Sequence, residues 1–164
     1  MYYIILEDKN EYQEPNNMYE DYTRQALPSQ NYRALLGSAI CVFNSNNSFI
    51  IENILRIDQT GQYKWGELID KMSGQLKDDI RNTITNNSND SIANLFNDIV
   101  YIRNRIVHSF QFTAPQGITD DPDNQMLATK HRDGKQEPIT EEYLMNFIKK
   151  NEGLSSQLHQ LRGY

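Results

Sequence analysis

Residues 91–110 read SIANLFNDIVYIRNRIVHSF, and this stretch decides the fold that we predict for the chain. Apolar residues recur in it at the three- and four-residue intervals typical of an α-helix, and they cover more than one stripe. They are Ile92, Leu95, Phe96, Ile99, Val100, Ile106 and Val107. A helix of this kind contacts several neighbours, so the pattern predicts a central helix reaching about Phe110. The Asn- and Ser-rich residues 85–90 are expected to supply its N-cap.

Three further helices are predicted around this one. The same spacing continues from Asn31 to Arg56, from Trp65 to Ile80, and after Thr140, which is a suitable N-cap with two glutamates behind it. Within the first of these helices the polar run 44–48 allows two alternatives. It breaks the helix into two, since Asn and Ser are mediocre helix formers, or it forms a polar patch aimed at a site.

Turn-forming residues replace the helical pattern between Phe112 and Pro138. Residues 125–139 suit a small hairpin turning at Asp133-Gly134, which can pair with a predicted strand at Tyr2 to Leu6. We therefore predict a mostly α fold, an up-and-down bundle of four to five helices with a small β-hairpin and strand insert. Residues 1–30 form an N-terminal strand and arm, and residues 31–164 form the helical domain, with the insert at 112–139.

Composition narrows the classes of function. The 164 residues carry a formal charge of -6, which argues against a protein that coats nucleic acid nonspecifically but leaves room for a local basic site. No run of ~18 apolar residues and no secretory signal are found, so we expect a cytoplasmic protein without a membrane partner. The single cysteine, Cys41, has apolar neighbours and is expected to be buried. Histidine and cysteine show no metal-ligand spacing, so neither a metal nor another cofactor is expected.

One short motif has a chemical rationale. Asn104 and His108 are four residues apart near a helix end and share a face, while Arg103 lies on the adjoining face, so one small surface can hold all three. A structural alternative is open: Arg103 pairs with Asp98 or Glu67, and His108 only interacts with the helix dipole. The other two histidines, His131 and His159, are expected to be solvated surface residues.

This motif resembles the hallmark of the HEPN superfamily, an Arg followed after four to six residues by His, often with a polar residue directly after the Arg. Arg103, Asn104 and His108 match it at the shortest spacing. The resemblance runs from the long first helix through the third, with the last helix as an open alternative, and leaves out the N-terminal arm and the insert. It implies a metal-independent endoribonuclease of toxin or antiphage defence systems, working as a homodimer with both motifs at one cleft.

The resemblance assigns roles to individual residues. His108 exchanges protons, Arg103 clamps phosphate oxygens, and Asn104 orients the imidazole or binds a phosphate oxygen. Arg105, together with Asn46 and Asn47, is expected to line the substrate groove. The partners implied are RNA, a second copy of the chain, and an antitoxin or other protein. The alternative is a non-catalytic helical dimer that binds a protein or nucleotide through the same groove.

Overall fold

Five α-helices and one antiparallel sheet make up the part of the chain that the computed structural model describes, residues 20–118 and 124–163. The helices are α1 (Gln30–Ile57), α2 (Trp65–Ile69), α3 (Lys77–Asn82), α4 (Ser91–Val107) and α5 (Glu141–Leu161). Short 3₁₀ turns span Ser73–Leu76 and Thr85–Asn87. The sheet has the order β1 (Phe110–Thr113), β2 (Gln125–Lys130), β3 (Gln136–Ile139). The predicted mostly α fold with a small β element is confirmed.

The longest helix, α1, is continuous through its polar run, so the predicted alternative of a break at residues 44–48 is wrong. Asn46 is buried and donates from Nδ2 to the Asn151 carbonyl at 2.7 Å and to Asn151 Oδ1 at 3.1 Å. Asn151 in turn donates to the carbonyl of Phe147 in α5. Because each buried amide finds a partner across the interface, the polar run is compatible with an unbroken helix.

The core lies where α1, α4 and α5 pack together. Its fully buried side chains come from all three helices and from the segment between α1 and α4. The largest include Ile50, Ile54, Phe96, Ile99 and Phe147, each with at most 1% of its surface exposed. α1 packs mainly on α5, and α4 contacts both, so α4 is central as its sequence predicts.

The predicted helix from Trp65 to Ile80 is wrong, because the chain forms α2, a 3₁₀ turn and α3 instead. Met72 has an extended backbone, with ψ at 140°, and its N–H donates to Gln75 Oε1 at 2.9 Å. That local bond replaces a helical one and turns the chain. The 3₁₀ turn that follows contacts α4 and places Ser73 close to Arg103.

The predicted hairpin is confirmed as β2 and β3, joined by a turn in which Gly134 has φ at +89°. Strand β1 was not predicted; it begins at Phe110, so α4 ends three residues before the expected Phe110. β1 pairs with the edge of β2 opposite β3. Tyr32 of α1 anchors the sheet, since its hydroxyl donates to the Ile139 carbonyl at 2.7 Å and accepts from Leu127 N. The predicted strand at Tyr2 to Leu6 lies outside the described residues.

The exposure of Cys41 and the hydropathy of α1 both bear on predictions made from the sequence. Cys41 is exposed, so the prediction of a buried thiol is wrong; the apolar neighbours of Cys41 turn to other faces of the helix. Among the described residues, α1 is also long and apolar enough to span a membrane, with a mean hydropathy of 1.3 in its most apolar window. A helix in the core of a soluble protein meets the same two criteria.

Candidate functional site

A cavity of about 650 Å³ opens between the middle of α1, the end of α4 and the segment that joins α2 to the first 3₁₀ turn. Arg103, Asn104 and His108 line it together, as the sequence motif predicts. The lining also contains Lys71, but among the described residues it contains no aspartate or glutamate. Lys71 is paired with Asp79 outside the lining, so the cationic character of the cavity comes mainly from Arg103, in a chain of formal charge -6.

Arg103 stacks on α1 and has no carboxylate partner among the described residues. Its guanidinium lies 4.7 Å from the centroid of the Phe43 ring, and its NH2 group donates to Ser73 Oγ at 3.0 Å. The alternative partners are engaged elsewhere, Asp98 with Lys150 at 3.9 Å and Glu67 with Lys64 at 3.6 Å. The predicted ion pair of Arg103 with Asp98 or Glu67 is therefore wrong.

Burial leaves the Arg103 cation short of compensating interactions. Its Nε is inaccessible to solvent and has no hydrogen-bond partner in the described part of the chain. Burial lowers the pKa of the guanidinium, because a desolvated cation with neutral neighbours is less favourable than a hydrated one. Arginine nevertheless remains charged in proteins. An anion in the cavity would supply the negatively charged partner that Arg103 lacks among the described residues.

His108 lies at the junction between α4 and the sheet. It is the C-cap of α4, with its backbone N–H donating to the Asn104 carbonyl, and its side chain is exposed at the cavity. Asn104 lies one helical turn earlier and lines the same cavity, as the four-residue spacing predicts. Within the described ranges, no side-chain hydrogen bond holds the His108 imidazole.

The two neighbouring asparagines of α1 face different parts of the molecule. Asn47 lines the cavity, and its buried Oδ1 has no hydrogen-bond partner among the described residues. Asn46 was predicted to line the groove too, but its amide is used up in the contact with Asn151. We correct that prediction and retain only Asn47 as a candidate site residue, since successive helical positions differ by about 100° in direction.

Arg105 also lies outside the cavity that holds the motif. Its NH1 group donates to the Lys130 carbonyl at 2.9 Å, and its guanidinium lies 5.3 Å from the ring centroid of Tyr101. The prediction that Arg105 sits in the same groove as Arg103 is corrected, because the two residues are separated on α4 by about 200°. Arg105 instead faces the hairpin turn.

The sequence did not reveal the side chains of the connecting segment. Lys71, Met72 and Ser73 line the cavity, and Lys71 forms an ion pair with the buried Asp79 at 2.6 Å. A continuous helix from Trp65 to Ile80, as the spacing predicts, would spread these three consecutive residues over about 200° rather than fold them together over the end of α4. The one available signal was the Ser73-Gly74 pair, since both residues favour turns over helix.

Searches against protein-family models, curated proteins and solved structures returned no match. Within the described residues no group of three or more His, Cys, Asp or Glu side chains has the geometry to hold a metal ion. What the site does contain is a half-buried guanidinium, an exposed imidazole and the four carboxamides of Asn44, Asn47, Gln75 and Asn104 around one cavity. These groups can bind a phosphate oxygen, stabilise negative charge and transfer a proton.

Proposed function

We propose that this protein is a metal-independent endoribonuclease of HEPN type, acting as a homodimer in a toxin or antiphage defence role. One observation carries the proposal: Arg103, free of any described carboxylate partner, shares one cavity with Asn104 and His108. Among the described residues, the Arg103 guanidinium is held by the Phe43 ring and the Ser73 hydroxyl, both of them neutral. Such a cation is suited to a phosphate.

The chain's own side chains can perform the reaction. The 2′-hydroxyl of the RNA loses its proton to His108 and attacks the adjacent phosphorus, forming the O2′–P bond. The P–O5′ bond then breaks, and the 5′-oxygen leaves with a proton from an imidazolium. Arg103 stabilises the charge on the non-bridging oxygens, and Asn104 donates to one of them. The products are a 2′,3′-cyclic phosphate and a 5′-hydroxyl.

A second copy of the chain would complete this scheme, because one imidazole cannot accept and donate a proton in the same step. The rim of the cavity supports such a dimer. Met72, Val107 and Ile69 lie around it with 71%, 50% and 40% of their surfaces exposed. Exposed apolar side chains grouped around a cleft mark contact surfaces. A twofold axis there would bury them and bring two copies of His108 together.

The test is cleavage of a total RNA preparation in excess EDTA, with the product ends mapped. We expect wild-type protein to leave 2′,3′-cyclic phosphates and His108→Ala to be slower by at least about 100-fold, the usual contribution of acid–base catalysis. His159→Ala is the matched control, because His159 is exposed on α5 and does not line the cavity. Cleavage that persists in His108→Ala would contradict the proposal.

The second candidate function is a non-catalytic helical dimer that binds a protein or nucleotide in the same cavity. The observation in its favour is the freedom of His108, since a catalytic base is usually oriented by a third group. If neither wild-type nor control protein cuts RNA, this candidate replaces the first. Sedimentation of wild type and Val107→Asp then tests the dimer by itself, because a buried carboxylate at the rim would split it.

A further inference from the structure

We propose that the surface between α4 and the β2–β3 turn is a second binding site, which holds single-stranded RNA flanking the cleaved bond. This inference rests on the proposed ribonuclease function and extends the substrate path beyond the catalytic cavity. The site is a pocket of about 470 Å³. Its lining consists of Tyr101, Asn104, Arg105, His131, Arg132 and Asp133.

Asn104 connects the two sites, because it lines both the catalytic cavity and this second pocket. Arg103 and Arg105 project to its two sides, one into each pocket. A strand whose phosphate is held at Arg103 would reach Arg105 by passing Asn104, which lines both pockets. The sequence Arg103-Asn104-Arg105 of α4 thus places its two cations in two adjoining pockets rather than in a single cluster.

The charge of the second pocket fits a polyanion. The turn sequence 130–135 contains Lys130, Arg132 and Lys135, and Arg105 bonds to its first carbonyl. Arg132 is exposed, and no ion pair engages it in the described part of the chain. Asp133 is the one carboxylate of the lining, and it accepts from the backbone N–H of Lys135 at 3.0 Å. Positive charge therefore predominates locally in an otherwise acidic chain.

Tyr101 favours single-stranded over double-stranded RNA. Its ring is 57% exposed, and the Arg105 guanidinium lies against it, 5.3 Å from the centroid. An exposed ring backed by a cation is a platform on which an unpaired base can stack, whereas the bases of a duplex are stacked on each other. Arg105 lines the pocket, and no ion pair with a carboxylate engages it in the described part of the chain, so this guanidinium retains its charge for a phosphate oxygen.

The test is direct binding of a fluorescein-labelled, mixed-sequence 2′-O-methyl RNA of about 12 nucleotides, which lacks the attacking hydroxyl and so stays intact. We expect Arg105→Ala/Arg132→Ala to lower its affinity by roughly ten-fold or more, and to reduce the salt slope by about 1.4. Arg132→Ala alone makes the same test without disturbing the contact of Arg105 with Lys130, with a slope change of about 0.7. Arg56→Ala, an exposed arginine that lines neither pocket, is the matched control.

The stacking step has its own test. Tyr101→Ala should weaken single-strand binding by at least about five-fold, while Tyr101→Phe retains the ring and the affinity. Binding by both arginine variants equal to that of Arg56→Ala, or no binding by wild type, would overturn the inference. Strong binding at this site without any cleavage would instead overturn the proposed function and leave the second site standing. RNA cleavage by wild type, together with probe binding that neither arginine variant weakens, would overturn the second site and leave the proposed function standing.

Discussion

Two arginines stack on two phenylalanines of α1, and their surroundings differ in one respect. Arg162 lies 4.3 Å from the Phe49 ring and donates to Glu52 and Asn53, each at 3.0 Å. Arg103 lies 4.7 Å from the Phe43 ring and donates to Ser73. A guanidinium neutralised by a carboxylate stabilises the fold, whereas one held by neutral groups keeps its charge for a ligand. The comparison teaches that partners, not stacking, distinguish a structural arginine from a functional one.

The same contrast separates two adjacent asparagines. Asn46 donates twice to α5 from Nδ2, whereas Asn47 lines the cavity and its buried Oδ1 has no hydrogen-bond partner among the described residues. One side of α1 is thus an interface in which the buried Asn46 amide donates to α5. The other side is left with polar atoms that a ligand can satisfy. We call them the sealed face and the open face of α1.

The largest expected difference between the two arginines is in activity. Arg103→Ala should slow RNA cleavage by about 10² to 10³-fold, because it removes the charge that stabilises the transition state. Arg162→Ala should leave the rate unchanged, since Arg162 is bonded on the sealed face. Cleavage rates of the two variants under the same EDTA conditions make the comparison. Equal rates for both would break it.

A substitution on the sealed face should cost more stability than one on the open face, and the two asparagines test this. Asn46→Ala should lower the free energy of unfolding by about 2 kcal/mol, because it leaves the buried Oδ1 of Asn151 without a donor. Asn47→Ala should cost less than about 0.5 kcal/mol, since the Oδ1 that it removes has no described partner. Urea unfolding measures both. A larger loss for Asn47→Ala would show that the open face is also structural.

Tyr32 extends the comparison to the start of the sealed face, with a smaller effect. Tyr32→Phe should cost about 1 kcal/mol through the lost bonds with Ile139 and Leu127. Burial raises the pKa of the Tyr32 hydroxyl, and Glu141 raises it further, against the backbone N–H of Leu127, which lowers it. The phenol contributes stability fully below pH ~10, and this is lost as pH rises through the folded-state pKa. The free energy of unfolding, measured from pH 8 to 11, should therefore fall more steeply in wild type than in Tyr32→Phe.

Most of the fold and half of the candidate site follow from the sequence. Periodicity predicts α1, α4 and α5, and the Asp133-Gly134 pair predicts the hairpin turn, because these are local signals. The four-residue spacing likewise brings Asn104 and His108 to one cavity. The long-range features could not be read in this way. Asn46 bonds to Asn151, which lies 105 positions later in the chain. The turn at Met72 folds over α4 through a bond between Ser73 and Arg103, which lie 30 positions apart.

Arg105 shows why a motif does not define a site. Arg105 lies two residues after Arg103 in the sequence, and the prediction places both in one groove. The rotation of the helix sends them to different pockets, and the partners they meet there come from segments that periodicity does not place: Ser73 for Arg103 and Lys130 for Arg105. The sequence predicted the chemistry of the residues but not their surroundings.

The exposed thiol of α1 makes the open face observable. Cys41 is the single cysteine of the chain, and it lies three residues before Asn44 and next to Ile40, both of which line the cavity that holds Arg103 and His108. Residues three apart on a helix are neighbours, with Cβ atoms about 5–6 Å apart. A polarity-sensitive dye coupled to this thiol would report the arrival of a ligand or a second copy of the chain as a change in colour. Because Cys41 is the single cysteine of the chain, one dye can be attached there without removing or adding a cysteine.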